Sequence, residues 1–156
     1  MYTAITLNGN TDIYFANQLL WKSITIKGIL KDKFYVQDIN NTRLLELEIK
    51  HFFGFGKKYL IVEQRLQRQI DLLKIRKKLY LKVANDTISL NKKMKAWKFD
   101  GNFIVDNKIS GSFKNHLTLL KSSFTFDFKN ESETNFYCIL LFSILVIDEF
   151  NTQPPS

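Results

Sequence analysis

Apolar and polar positions alternate most cleanly at Leu45, Leu47 and Ile49 against Glu46, Glu48 and Lys50, which describes a strand with one dry and one wet face. Runs rich in β-branched and aromatic residues predict further strands at Asp12–Ala16, Ile24–Gly28, Phe34–Ile39, Tyr59–Glu63 and Leu79–Val83. Others follow at Ile88–Leu90, Ala96–Phe99, Asn102–Val105, His116–Leu120 and Phe124–Lys129. Turn-forming residues separate them at Asn8-Gly9-Asn10, Lys31-Asp32-Lys33, Asn40-Asn41-Thr42, Gly54-Phe55-Gly56-Lys57, Asn85-Asp86, Asp100-Gly101 and Ser110-Gly111. Such short connections make hairpins, so the sheet is expected to be mainly antiparallel. In Gln64–Lys74 the residues Leu66, Ile70 and Leu73 have helical spacing while the flanking material reads as strand, and the segment is read as a loop or short helix.

The pattern changes near the C-terminus. Asn130-Glu131-Ser132-Glu133-Thr134 offers capping oxygens and acids for a helix N-terminus. Twelve apolar or weakly polar residues, Phe136 to Ile147, follow at once; Asp148-Glu149 closes the run and Pro154-Pro155 prevents its continuation. As a helix these twelve residues rise only about 18 Å, short of a hydrocarbon core of roughly 30 Å, so they predict a buried helix before a membrane anchor. A helix apolar on every side must be enclosed on every side. The predicted fold is therefore mainly β: a closed or nearly closed antiparallel β-barrel of ten to twelve short strands around a buried hydrophobic C-terminal α-helix at about 133–150.

The length of 156 residues and the 45% hydrophobic content fit one globular domain, taken as residues 1–150, with 151–156 as a flexible tail. The single cysteine, Cys138, excludes an internal disulfide framework and a cysteine-ligated zinc site, and two histidines leave few ways to build a metal centre. No cofactor or metal is expected. The first ten residues lack the charged, apolar and small-residue regions of a secretory signal, which predicts a cytoplasmic protein.

Charge changes the picture more. The chain carries +8, but thirteen basic and three acidic residues fall between Lys57 and Lys98, a local +10 that leaves −2 for the remainder. Such a middle is either an electrostatic footprint for phosphates or the solvated outer face of a barrel. Base and aromatic interleave at Arg76-Lys77-Lys78-Leu79-Tyr80 and around Trp97, as on single-stranded nucleic-acid surfaces; strand alternation, however, sends Trp97 to the core face, which argues against nucleic acid. Gly54-Phe55-Gly56-Lys57-Lys58 lacks the spacing of a phosphate loop and reads as a hairpin turn. His51 and His116 stand 65 residues apart without a serine motif or metal spacing, and Cys138 in an apolar helix should stay a neutral thiol. No constellation points to an enzyme.

Many short strands followed by an apolar C-terminal helix from Ile139 to Val146, running into Ile147-Asp148-Glu149-Phe150, resemble the tubby C-terminal-like superfamily, and within it the LURP-one-related group and its small bacterial members. Lys33-Phe34-Tyr35-Val36-Gln37-Asp38 and Lys57-Lys58-Tyr59-Leu60-Ile61-Val62 are similar in kind to that group's strand repeats. The resemblance covers about residues 12–150. It implies a barrel of about twelve strands around a central helix and, from tubby domains, phosphoinositide head-group binding. The chain lacks the Pro-rich and Cys-rich segments of the related phospholipid scramblases, which puts lipid scrambling in doubt.

The expectation is a non-enzymatic binding or scaffold domain, peripheral to a membrane, whose basic surface contacts anionic phospholipid head groups. Arg76, Lys77, Lys78, Lys92, Lys93 and Lys95 are the candidate donors. The alternative is a regulatory or immunity-type domain that binds an acidic protein.

Overall fold

A computed structural model describes residues 1–52, 56–95, 98–117 and 121–150; of residues 94, 95, 98, 117 and 147–150 only the backbone is described. The elements are β1 (Tyr2–Leu7), β2 (Asn10–Phe15), β3 (Gln18–Ile26), β4 (Lys31–Asp38), β5 (Arg43–Phe52) and β6 (Gly56–Gln64), then β7 (Ile70–Ile75), β8 (Lys78–Val83), β9 (Asp86–Lys95), β10 (Lys98–Val105), β11 (Lys108–Leu117), β12 (Ser122–Phe128) and α1 (Thr134–Phe150).

Consecutive strands pair antiparallel, and β1 pairs with β12 in the register Ala4↔Phe124, giving the order β6-β5-β4-β3-β2-β1-β12-β11-β10-β9-β8-β7. The ring is nearly closed, with a seam where β6 and β7 meet without a strand ladder. Side chains bridge this seam at both ends. The Gln64 amide accepts from Ile70 N at 2.8 Å and donates to Ile70 O at 3.2 Å, while Lys74 Nζ donates to Lys57 O at 2.7 Å. These bonds occupy edge groups that would otherwise template pairing with another chain.

Eight strands enclose a space that their own side chains can fill, and twelve enclose more. The helix fills the remainder. From Tyr137 to Ile144 every residue is buried, on all sides of α1. Phe142 sits with its ring centroid 4.8 Å from those of Phe124 and Phe126 and 5.1 Å from that of Phe113. Burial raises the Cys138 thiol, helped by the charge of Asp86, to about 12, so it stays neutral. At its N-terminal end α1 is tied to the wall: Tyr137 Oη accepts from Arg68 N at 3.0 Å, Arg68 pairs with Glu133 at 2.8 Å, and Thr134 Oγ1 donates to Asp86 at 3.0 Å.

Several local expectations are corrected. Gln64–Lys74 is neither loop nor helix throughout: Ile70–Ile75 is β7, its Ile70 and Leu72 turned to the core, and tertiary packing overrides a spacing that also suited a helix. Asp100-Gly101 and Ser110-Gly111 are not turns but lie within β10 and β11. A Cβ on Gly101 would overlap the Asn91 carbonyl and the Phe113 ring, so this glycine makes room for an aromatic in the barrel wall. The turn actually lies at Asp106-Asn107, where both φ values are positive. β1 and all of β11 before His116 are strands beyond those the sequence pattern predicts. Ala96-Trp97, Thr118–Leu120, Gly54-Phe55 and Pro154-Pro155 lie outside the described residues, as do the side chains of Asp148 and Glu149.

Lys31-Asp32-Lys33 is likewise strand, and Asp32 is 1% exposed. Its carboxylate accepts from Gly28 N at 3.1 Å, from Lys27 Nζ at 3.0 Å and from His51 Nε2 at 3.1 Å. Burial pushes its pKa up, but the Gly28 amide, Lys27 and His51 together outweigh burial and hold it below 3.8. A depressed folded value means that the unfolded chain takes up the proton first on acidification. The stabilisation from Asp32 is therefore complete above about pH 4 and lost as pH falls through the lower folded value. Asp32→Asn is expected to cost about 2 kcal/mol at neutral pH and to flatten the acid limb of a stability–pH curve measured by urea unfolding.

Candidate anion-binding site

Because the strands run up and down in turn, the C-terminal ends of β1, β3, β5, β7, β9 and β11 share one rim, and α1 enters from the other. At the shared rim the seam opens into a cleft of about 580 Å³ lined by Gly56, Lys57, Tyr59, Lys74, Arg76, Lys77, Leu79 and Leu145.

Strand alternation explains this lining. On β6, Lys57 and Tyr59 share the face of Ile61, which packs on the core; on β7, Lys74 shares the face of Ile70 and Leu72. The two inner faces are apolar at depth and end in lysines at the mouth. Arg76 follows with φ 58° and starts the tight β7–β8 turn, which sets Arg76 and Lys77 beside the same opening. Gly56 has φ 84°, and a Cβ there would stand 2.9 Å from Lys74 Nζ, so glycine lets that ammonium reach the Lys57 carbonyl. Four cations thus surround a cleft whose walls include Tyr59, Leu79 and Leu145. No acidic side chain lines it among the described residues.

The six residues expected from sequence are only partly gathered here. Arg76 and Lys77 line the cleft. Lys78 lies on the outer face of β8 with its Nζ 5.5 Å from the centre of the Tyr80 ring. Lys92 lies on the inner-face register of β9, 5.5 Å over Phe99, and Lys93 is exposed on the opposite face. The side chain of Lys95 lies outside the described residues. Lys57, Tyr59 and Lys74 were not singled out from sequence. Recognising β7 as a strand would have found them, since the series Ile70, Leu72, Lys74 and Ile61, Tyr59, Lys57 then converge.

The histidines have local partners: His51 donates to Asp32, and His116 Nε2 is 3.1 Å from Thr125 Oγ1. Glu46 pairs with Arg43 and Glu48 with Lys31, each at 3.1 Å across the strand surface. Among the described residues no group of three or more His, Cys, Asp or Glu could hold a metal ion, and no helix is long and apolar enough to cross a membrane.

Comparison with protein-family models, with curated proteins and with solved structures finds no match.

Proposed function

We propose that the protein is a non-enzymatic binding domain whose cleft at the β6–β7 seam takes the head group of an anionic phospholipid. The observation that carries this reading is the convergence of Lys57, Lys74, Arg76 and Lys77 on one opening without an acidic lining residue. Guanidinium and ammonium groups donate charge-assisted hydrogen bonds to phosphate oxygens, Arg in a planar fork and Lys as a compact point charge. Tyr59, Leu79 and Leu145 supply apolar wall for the uncharged part of such a ligand. The resemblance to the tubby C-terminal-like superfamily points the same way, because the barrel around a helix is the architecture it implies. The protein would then act at the surface of a membrane, from the cytoplasmic side.

Sedimentation with vesicles tests the reading. Neutral, phosphatidylserine and phosphoinositide surfaces are compared at low and physiological salt, because screening at a Debye length of about 8 Å weakens diffuse attraction more than a formed site. Phosphoinositide-selective binding that survives physiological salt is expected. No binding to any surface would discard the lipid reading and leave an acidic protein as the partner to seek.

A further inference from the structure

The rim that holds the cleft has a second feature. Three hairpins reach it side by side: β3–β4 with residues 27–30, the strand ends Phe52 of β5 and Gly56 of β6, and β7–β8 with Arg76-Lys77. They are joined to one another, His51 N donating to Leu30 O at 3.0 Å and Lys74 Nζ to Lys57 O at 2.7 Å. On them Ile29 is 94% exposed and Leu30 66%, and Ile26, Phe52 and Ile75 are about half exposed. Met1, Leu20, Ile39, Val62 and Ile109 are exposed toward the opposite rim, but among the described residues no two of them are adjacent in sequence and none approaches the exposure of Ile29.

A loop with two adjacent exposed aliphatic side chains would gain by folding them inward. This one is held open. The buried Asp32 carboxylate fixes Gly28 N and Lys27, His51 N holds the Leu30 carbonyl, and a Cβ on Gly28 would overlap the Lys31 carbonyl, so the loop is wound too tightly to retract. Lys27, Lys31 and Lys58 stand around these tips, the first two paired with Asp32 and Glu48, and the cleft cations beside them keep the surroundings net positive. Apolar tips inside a basic collar match an anionic bilayer, whose charged head groups overlie hydrocarbon; an acidic protein surface offers the charge but not the yielding apolar layer.

We infer that this rim is the membrane-facing end of the barrel: Ile29 and Leu30, flanked by Ile26, Phe52 and Ile75, enter the boundary between head groups and acyl chains while the cleft holds a head group. The inference rests on the proposed lipid reading and adds to it an orientation and a second, apolar contact.

The test compares wild type, Ile29→Asn/Leu30→Asn, which removes the apolar tips without adding charge, and Arg76→Glu/Lys77→Glu in two assays. One is sedimentation with phosphatidylcholine vesicles that contain phosphatidylserine and phosphoinositide; the other is calorimetric titration with inositol hexakisphosphate, which offers phosphates without a bilayer. The tip variant is expected to bind vesicles at least ~10-fold more weakly than wild type and inositol hexakisphosphate equally well, because only the apolar contact is lost. The cleft variant should lose both. Undiminished vesicle binding by the tip variant overturns the orientation and leaves the cleft reading standing, whereas failure of the wild type in both assays overturns both. Leu30→Trp, conservative at an exposed position, gives an independent readout: its fluorescence should be quenched by brominated acyl chains beyond the wild-type level, and an unchanged level contradicts insertion.

Discussion

Leu141→Lys is expected to yield no folded protein. Leu141 is fully buried, in the stretch of α1 that the barrel surrounds on every side, and no described acid lies in that core cluster to pair with an ammonium. An unpaired buried charge costs several kcal/mol after relaxation, in a domain whose whole stability is about 5–15 kcal/mol. The variant should lack a cooperative thermal transition by circular dichroism and elute as aggregate. A soluble variant with an unchanged melting temperature would show that α1 is not enclosed.

Phe142→Ala should be the most damaging change that removes only carbon. The ring lies at the centre of an aromatic cluster, with centroids 4.8 Å from Phe124 and Phe126, 5.1 Å from Phe113, 6.4 Å from Phe99 and 6.5 Å from Phe103. Those five rings stand on three paired strands, Phe99 and Phe103 on β10, Phe113 on β11, and Phe124 and Phe126 on β12, and this rigid ladder keeps them from collapsing into the gap. The expected loss is about 3–5 kcal/mol, read from urea unfolding. A loss below about 1 kcal/mol would mean that the helix packs against the wall more loosely than these distances require.

The architecture was legible because two signals with different periods do not compete: Leu45, Leu47 and Ile49 alternate, whereas Phe136 to Ile147 shows no polar face at all. A wholly apolar helix beside one-sided strands leaves enclosure as the economical arrangement. Local errors came where a residue type has two uses. Gly101 and Gly111 read as turns, yet a barrel wall also uses glycine where an aromatic ring such as Phe113 or Phe128 leans across the strand. Asp32 between two lysines read as a solvated turn, yet it is the buried acceptor for Gly28, Lys27 and His51. The candidate site was half legible. Net charge located the basic middle of the chain, but charge has no direction; which cations converge depended on β7, the strand mistaken for a loop or helix. Arg76 and Lys77 join Lys57 and Lys74 only because the seam of the barrel falls between β6 and β7.

In the proposed function a formed cleft, and not total positive charge, recognises anionic lipid. Two double charge reversals of equal size separate these causes: Arg76→Glu/Lys77→Glu at the cleft, and Lys82→Glu/Lys93→Glu at exposed positions away from its lining. Binding to phosphoinositide vesicles at physiological salt should fall by at least ~10-fold in the first, the loss of one or two charge-assisted contacts, and by far less in the second. Equal loss in both would contradict the account and reduce the basic surface to a diffuse field.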